Sequence, residues 1–82
     1  MELRTLDDLR AAVHTGRVIV ITDTATGAKA HHANCRWVGE TYFKAKVSDG
    51  GAKNGSYFAV ATLDDARSVH GAAPCPICNP SR

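Results

Sequence analysis

The sequence predicts a small α+β domain, two helices on a sheet of three or four short strands, closed at its C-terminal end by a cysteine knuckle. Three observations lead there. A Thr-Leu-Asp-Asp helix start occurs twice, at Thr5 and at Thr62; β-branched or alternating apolar runs lie between the two; and the cysteines fall in two short segments, Cys35 alone and Cys75 with Cys78. With 82 residues there is room for one domain, 1–82, and a chain of that size buries only about 60 to 65% of the surface it exposes when unfolded. Such chains usually draw on a metal, disulfides or a partner for stability.

Thr5 reads as an N-cap, with Asp7 and Asp8 in a first turn where the helix dipole favours negative charge. Leu6, Leu9 and Val13 recur at helical spacing and Gly16 supplies the stop, giving a helix over about residues 6–14. Arg17-Val18-Ile19-Val20-Ile21-Thr22-Asp23 is apolar without alternation, the pattern of a strand covered on both faces. Thr24 to Gly27 is a turn into a short strand ending near His31. Thr41 to Ser48 alternates, which predicts a strand with Phe43, Ala45 and Val47 toward the core and Tyr42, Lys44 and Lys46 on the opposite face. Asp49-Gly50-Gly51 and Asn54-Gly55 then predict a long hairpin loop, 48–55, leading into a strand over Tyr57 to Val60. The second helix runs from Thr62 to about His70 and stops at Gly71. His14 and His70 fall near the two helix ends, where the dipole favours positive charge.

The cysteines carry the chemistry. Three thiols leave one over in any disulfide scheme, whereas three thiolates and one imidazole complete a four-ligand zinc shell. In Pro74-Cys75-Pro76-Ile77-Cys78-Asn79-Pro80 the two-residue spacing lets both sulfurs reach one ion at about 2.3 Å. A redox reading of the pair needs a helix beginning at the first cysteine, which Pro80 interrupts. The other half of the shell comes from Ala30-His31-His32-Ala33-Asn34-Cys35. His31, four positions before Cys35, can share an ion with it across one turn; His32, at three positions, is the competing ligand. The expected metal site is His31, Cys35, Cys75 and Cys78, a zinc knuckle with three thiolates and an imidazole.

A family resemblance follows from these residues. The run Ala28 to Trp37, then Tyr57-Phe58-Ala59 to Ala66, then Gly71-Ala72-Ala73-Pro74-Cys75-Pro76-Ile77-Cys78-Asn79-Pro80, resembles the metal-binding domain of the Ada DNA-repair family and its shorter relatives. In that pattern a ligand, three residues and a cysteine are followed by a strand, a short alanine-rich helix and a Gly-x-x-Pro-Cys-x-x-Cys-x-Pro close. The resemblance covers about residues 28–80 and leaves the helix at 6–14 outside it. It implies that the first ligand would be the thiolate that accepts a methyl group in the repair enzymes. Here His31 holds that place, so alkyl transfer is not expected. Three thiolates and a neutral imidazole also leave the site at −1 rather than −2, which makes the remaining sulfurs poorer nucleophiles. The resemblance points instead to the shorter His-x-x-x-Cys relatives, accessory zinc modules associated with nucleic-acid enzymes.

Net charge is +2, too small to announce nucleic-acid binding by itself. Residues 26–58, however, carry Lys29, Arg36, Lys44, Lys46 and Lys53 against Glu40 and Asp49. Arg36, Trp37, Tyr42, Lys44, Lys46 and Tyr57 are therefore the candidate nucleic-acid contacts, lysines on phosphates and an exposed aromatic on a base. The expectation is a non-catalytic zinc module contacting DNA or RNA. The alternative is a protein-interaction module or accessory subunit, with helix 6–14 or loop 48–55 as its surface. A zinc enzyme would need an open coordination place and a base such as Glu40 or His32, and neither it nor a small-molecule substrate is expected. The polar N-terminus and the short apolar run Val18 to Ile21 give no export or membrane signal, so a cytoplasmic setting is expected, where cysteine clusters more often bind metal than form bridges.

Overall fold

The computed structural model describes residues 1–23, 27–48 and 55–76. Among the described residues five strands form one mixed sheet: β1 (Glu2–Leu3), β2 (Val18–Ile21), β3 (Lys29–His31), β4 (Tyr57–Val60) and β5 (Ala73–Pro74), in the order β1-β4-β2-β3-β5. All neighbours are antiparallel except β3 and β5, which run parallel. Three helices accompany them, α1 (Leu6–His14), α2 (Glu40–Phe43) and α3 (Leu63–His70). The class is α+β as expected, with three helices where two were expected and five strands where three or four were expected.

Both Thr-Leu-Asp-Asp segments start helices, for the same reason. The Asp8 amide donates to Thr5 Oγ1 at 3.1 Å, and the Thr5 amide donates back to Asp8 Oδ2 at 3.2 Å, a reciprocal capping box. The amides of Arg4 and Thr5 hold the Asp8 carboxyl below its ordinary pKa. At α3 the Asp65 amide donates to Thr62 Oγ1 at 3.1 Å, and Gly71 ends the helix in the left-handed conformation, φ +63°. Thr5→Ala should therefore lower stability by about 1 kcal/mol. Urea denaturation checks it, and a midpoint equal to that of the parent chain would contradict the capping argument.

The unbroken apolar run of β2 is explained by burial on both sides. Ile19 and Ile21 pack with Leu3, Leu9, Ala12, Tyr57 and Ala59 on the face that carries α1 and α2, while Val20 packs with Ala30, Ala66 and Ala72 on the face that carries α3. The first of these layers also includes Cys35, Val38, Phe43 and Cys75. Gly55 is required where β4 begins: its φ is +146°, and a Cβ there would collide with the Thr22 carbonyl.

The strand expected over Thr41 to Ser48 is not formed. Residues 40–43 are the helix α2, and Lys44–Ser48 continue it as a π-helical stretch. Phe43 is fully buried and Val47 packs against the same layer, but Ala45 is exposed and Lys46 turns inward. Phe43 and Val47 are four apart, a spacing that satisfies a helical face as well as an alternating one. What separates the two is tertiary: Arg10 of α1 holds Glu40 through Nε to Oε2 at 3.0 Å and Nη2 to Oε1 at 3.1 Å, fixing the first turn of α2 beside α1. There is consequently no hairpin from 41–48 into β4. Residues 24–26 of the expected turn and 49–54 of the expected loop lie outside the described residues. No helix among the described residues is long and apolar enough to cross a membrane.

Candidate metal centre

Three elements converge on one point. His31 is the last residue of β3 and pairs in register with Ile19, which puts both on the α1/α2 face of the sheet. Immediately after it the chain turns back, the Cys35 amide donating to the His32 carbonyl at 3.0 Å, and Val38 and Gly39 close a 3-10 turn over Arg36–Val38. This returns Cys35 to His31, with Cys35 Sγ 3.4 Å from His31 Nδ1. The third element is β5. Ala73 donates to the Ala28 carbonyl at 3.2 Å and Cys75 to the Ala30 carbonyl at 2.8 Å, so the parallel pairing with β3 delivers Cys75 beside His31.

The ligand atoms of His31, Cys35 and Cys75 all lie within 4.8 Å of one another, and all three residues are buried. Ligand atoms around a tetrahedral ion with bonds of 2.0 to 2.3 Å sit about 3.3 to 3.8 Å apart, so the cluster is close enough to hold a metal ion and would need only a slight contraction to do so. Burial drives the His31 pKa down to about 4. Its imidazole is therefore neutral near pH 7, the form that coordinates. His32, the competing ligand, follows the end of β3, is exposed, and is not part of the cluster. Cys78, the expected fourth ligand, lies outside the described residues.

The turn that carries Cys35 is held from below. Tyr57 is buried, its hydroxyl donates to the Trp37 carbonyl at 2.7 Å, and its ring meets Phe43 edge-on with centroids 5.1 Å apart. Burial, with the nearby Cys35 as a smaller cause, pushes the Tyr57 phenol up to about 12, which keeps it a neutral donor.

The six candidate nucleic-acid residues divide. Trp37 and Tyr42 are 37% and 41% exposed and pack against each other, centroids 4.8 Å apart, with the Arg36 guanidinium 5.8 Å from the Trp37 ring. Arg36 and Lys44 are exposed. Lys46 and Tyr57 are less exposed, and their polar ends are engaged elsewhere. The Lys46 ammonium binds Asp23 Oδ2 at 2.9 Å and the Thr22 carbonyl at 3.1 Å, and Tyr57 is committed to Trp37 from inside. The single face expected for Tyr42, Lys44 and Lys46 belonged to the strand that is absent.

Next to the metal cluster is a cleft of about 590 Å³, floored by Ile21, Lys29, His31 and Tyr57 and walled by Trp37, Tyr42 and Ala45. Lys29 counts among the positive charges of residues 26–58 but not among the candidate contacts, although the signal is there: two residues from His31 on a strand, it shares the ligand's face.

No family model, curated protein or solved structure matches the chain.

Proposed function

We propose that the chain is a non-catalytic zinc module of the Ada-like, His-x-x-x-Cys type, in which His31, Cys35, Cys75 and Cys78 hold one ion and the adjoining surface contacts single-stranded nucleic acid. The observation that carries this reading is the convergence of a neutral imidazole and two cysteine sulfurs in the apolar layer beneath an exposed aromatic pair. Two or more thiolates with imidazole suit zinc among the common divalent ions. The Cys75-x-x-Cys78 spacing supplies a fourth ligand within reach, which would close the shell and leave no place for a substrate. Such a site stabilises the fold and does not turn over.

Trp37, Tyr42, Arg36 and Lys44 support the nucleic-acid half. Exposed rings stack on bases, and cations beside them meet phosphates. The nearby acids are already taken, Glu40 by Arg10 and Asp23 by Lys46, so the surface keeps a positive surplus. A binding titration of the zinc-loaded protein against a short oligothymidylate over a salt series tests it. Two or three engaged cations should give a log–log slope of about −1.5 to −2. Undetectable affinity at low salt would end the nucleic-acid reading, and an affinity insensitive to salt would favour a packed protein-type interface.

A further inference from the structure

We infer that the cleft beside the metal cluster is a nucleotide site, taking one unstacked nucleotide of a bound strand with its base against the aromatic wall and its phosphate at Lys29. The inference rests on the nucleic-acid reading above and adds to it where the strand is read. Three neighbouring residues across the sheet form the cleft floor, since Ile21 of β2 is paired with Lys29 of β3 on one side and Tyr57 of β4 on the other. All three point to the face that carries α2. The opposite wall is Trp37, Tyr42 and Ala45, and most of the lining is apolar. A volume of about 590 Å³ falls within the range of about 300 to 1,000 Å³ in which pockets accommodate small organic ligands.

Charge chooses the occupant. Two lysines and Asp23 line the cleft; Lys46 is bound to Asp23 at 2.9 Å, whereas Lys29 makes no ion pair among the described residues and is only half-buried. Arg36 and Lys44 add positive charge beyond the aromatic rim. The site thus combines an apolar, aromatic lining with the Lys29 side chain, and Arg36 and Lys44 are exposed near the aromatic pair. A nucleotide has that complement, a flat ring joined to an anion, and the flanking phosphates of a strand extend toward the rim. A duplex cannot present its bases this way without unpairing, so single strands are selected. The ligand chemistry is common to DNA and RNA.

The test uses the zinc-loaded chain, oligothymidylate, oligouridylate and a duplex of the same length, read by quenching of Trp37, the sole tryptophan. Both single strands should quench Trp37 and bind at least about tenfold tighter than the duplex. A preference for one of the two identifies the sugar that the site accepts. Ala45→Phe, which adds a ring at an exposed position of the cleft wall, should weaken single-strand binding roughly five- to a hundredfold, the loss expected for one stacked base. Lys29→Ala should make the salt slope shallower by about 0.7, one phosphate on a single strand. Metal content and melting temperature are measured on each variant, and Lys29→Ala carries the test if Ala45→Phe unfolds. Parental affinity and salt slope in the folded variants, in a protein that does bind the oligonucleotides, would overturn the cleft site and leave the surface reading standing. No binding by the parent chain at low salt would remove both.

Discussion

Adding a strong chelator to the purified protein is expected to lower its melting temperature sharply and to release the segment from β5 onward. The reason lies in how little else holds β5 among the described residues. β5 is two residues long, both exposed, and among the described residues it pairs with β3 alone. Its anchor is Cys75, 3% exposed, set among Cys35, Val38 and the β2 side chains. An ion bound by His31, Cys35 and Cys75 ties this end to the turn at residues 32–38 and so closes the long stretch of chain between Cys35 and Cys75, an entropic cost otherwise borne by packing alone. In zinc-finger peptides such binding is worth roughly 10 to 16 kcal/mol in apparent terms, against a total stability of about 4 to 12 kcal/mol for a domain of this size. Even a fraction of it decides whether the domain holds together. Elemental analysis should return one zinc per chain, Cys35→Ser and Cys75→Ser should lose it, and amide exchange should accelerate first in β3 and β5. A melting temperature and far-ultraviolet circular dichroism spectrum unchanged by the chelator would refute the metal as a structural element.

Where local chemistry decides, the sequence was sufficient. The two capped helices, the doubly covered β2 and the position of β4 all follow from side chains acting within a few residues of themselves: Thr5 and Thr62 accept the amides that a helix start leaves without partners, and Gly71 ends α3 because it tolerates positive φ. The spacing of His31 to Cys35, four positions against three for His32, also favours the histidine that the structure brings to the cluster. What the sequence did not disclose depends on contacts distant in the chain. β1 exists because Glu2 and Leu3 pair with Phe58 and Tyr57, and β5 because Ala73 and Pro74 meet β3; neither dipeptide has a strand signature of its own. In the helical arrangement of residues 40–48 Phe43 is buried, Arg10 meets Glu40 thirty residues away and Lys46 meets Asp23. An alternating pattern with apolar residues four apart carries both answers, and only the partners select one.

That selection has a measurable consequence at Phe43, where truncation to alanine is expected to cost about 3 to 5 kcal/mol. Phe43 is fully buried, meets the Tyr57 ring edge-on, and through Tyr57 supports the hydrogen bond to the Trp37 carbonyl that fixes the Cys35 turn. Its removal leaves a cavity between α2 and the sheet and loosens the approach of Cys35 to His31. The loss is a large share of the stability of a domain this small, so Phe43→Ala, without the contribution of the metal, should be largely unfolded. Excess zinc should refold it by mass action, since an ion that binds only the folded state adds RT ln(1 + [L]/Kd). Ala45→Glu supplies the control. An alternating strand would bury positions 43 and 45 together, and a buried carboxylate would be as damaging as the lost ring; in the helical arrangement Ala45 is exposed and the substitution should shift stability by less than about 0.5 kcal/mol. Chemical denaturation of the three proteins, with and without zinc, separates the cases. Equal destabilisation by the two variants would return residues 40–48 to a strand, and a loss below about 1 kcal/mol for Phe43→Ala would mean that the layer beneath the metal ligands is not the packed support described above.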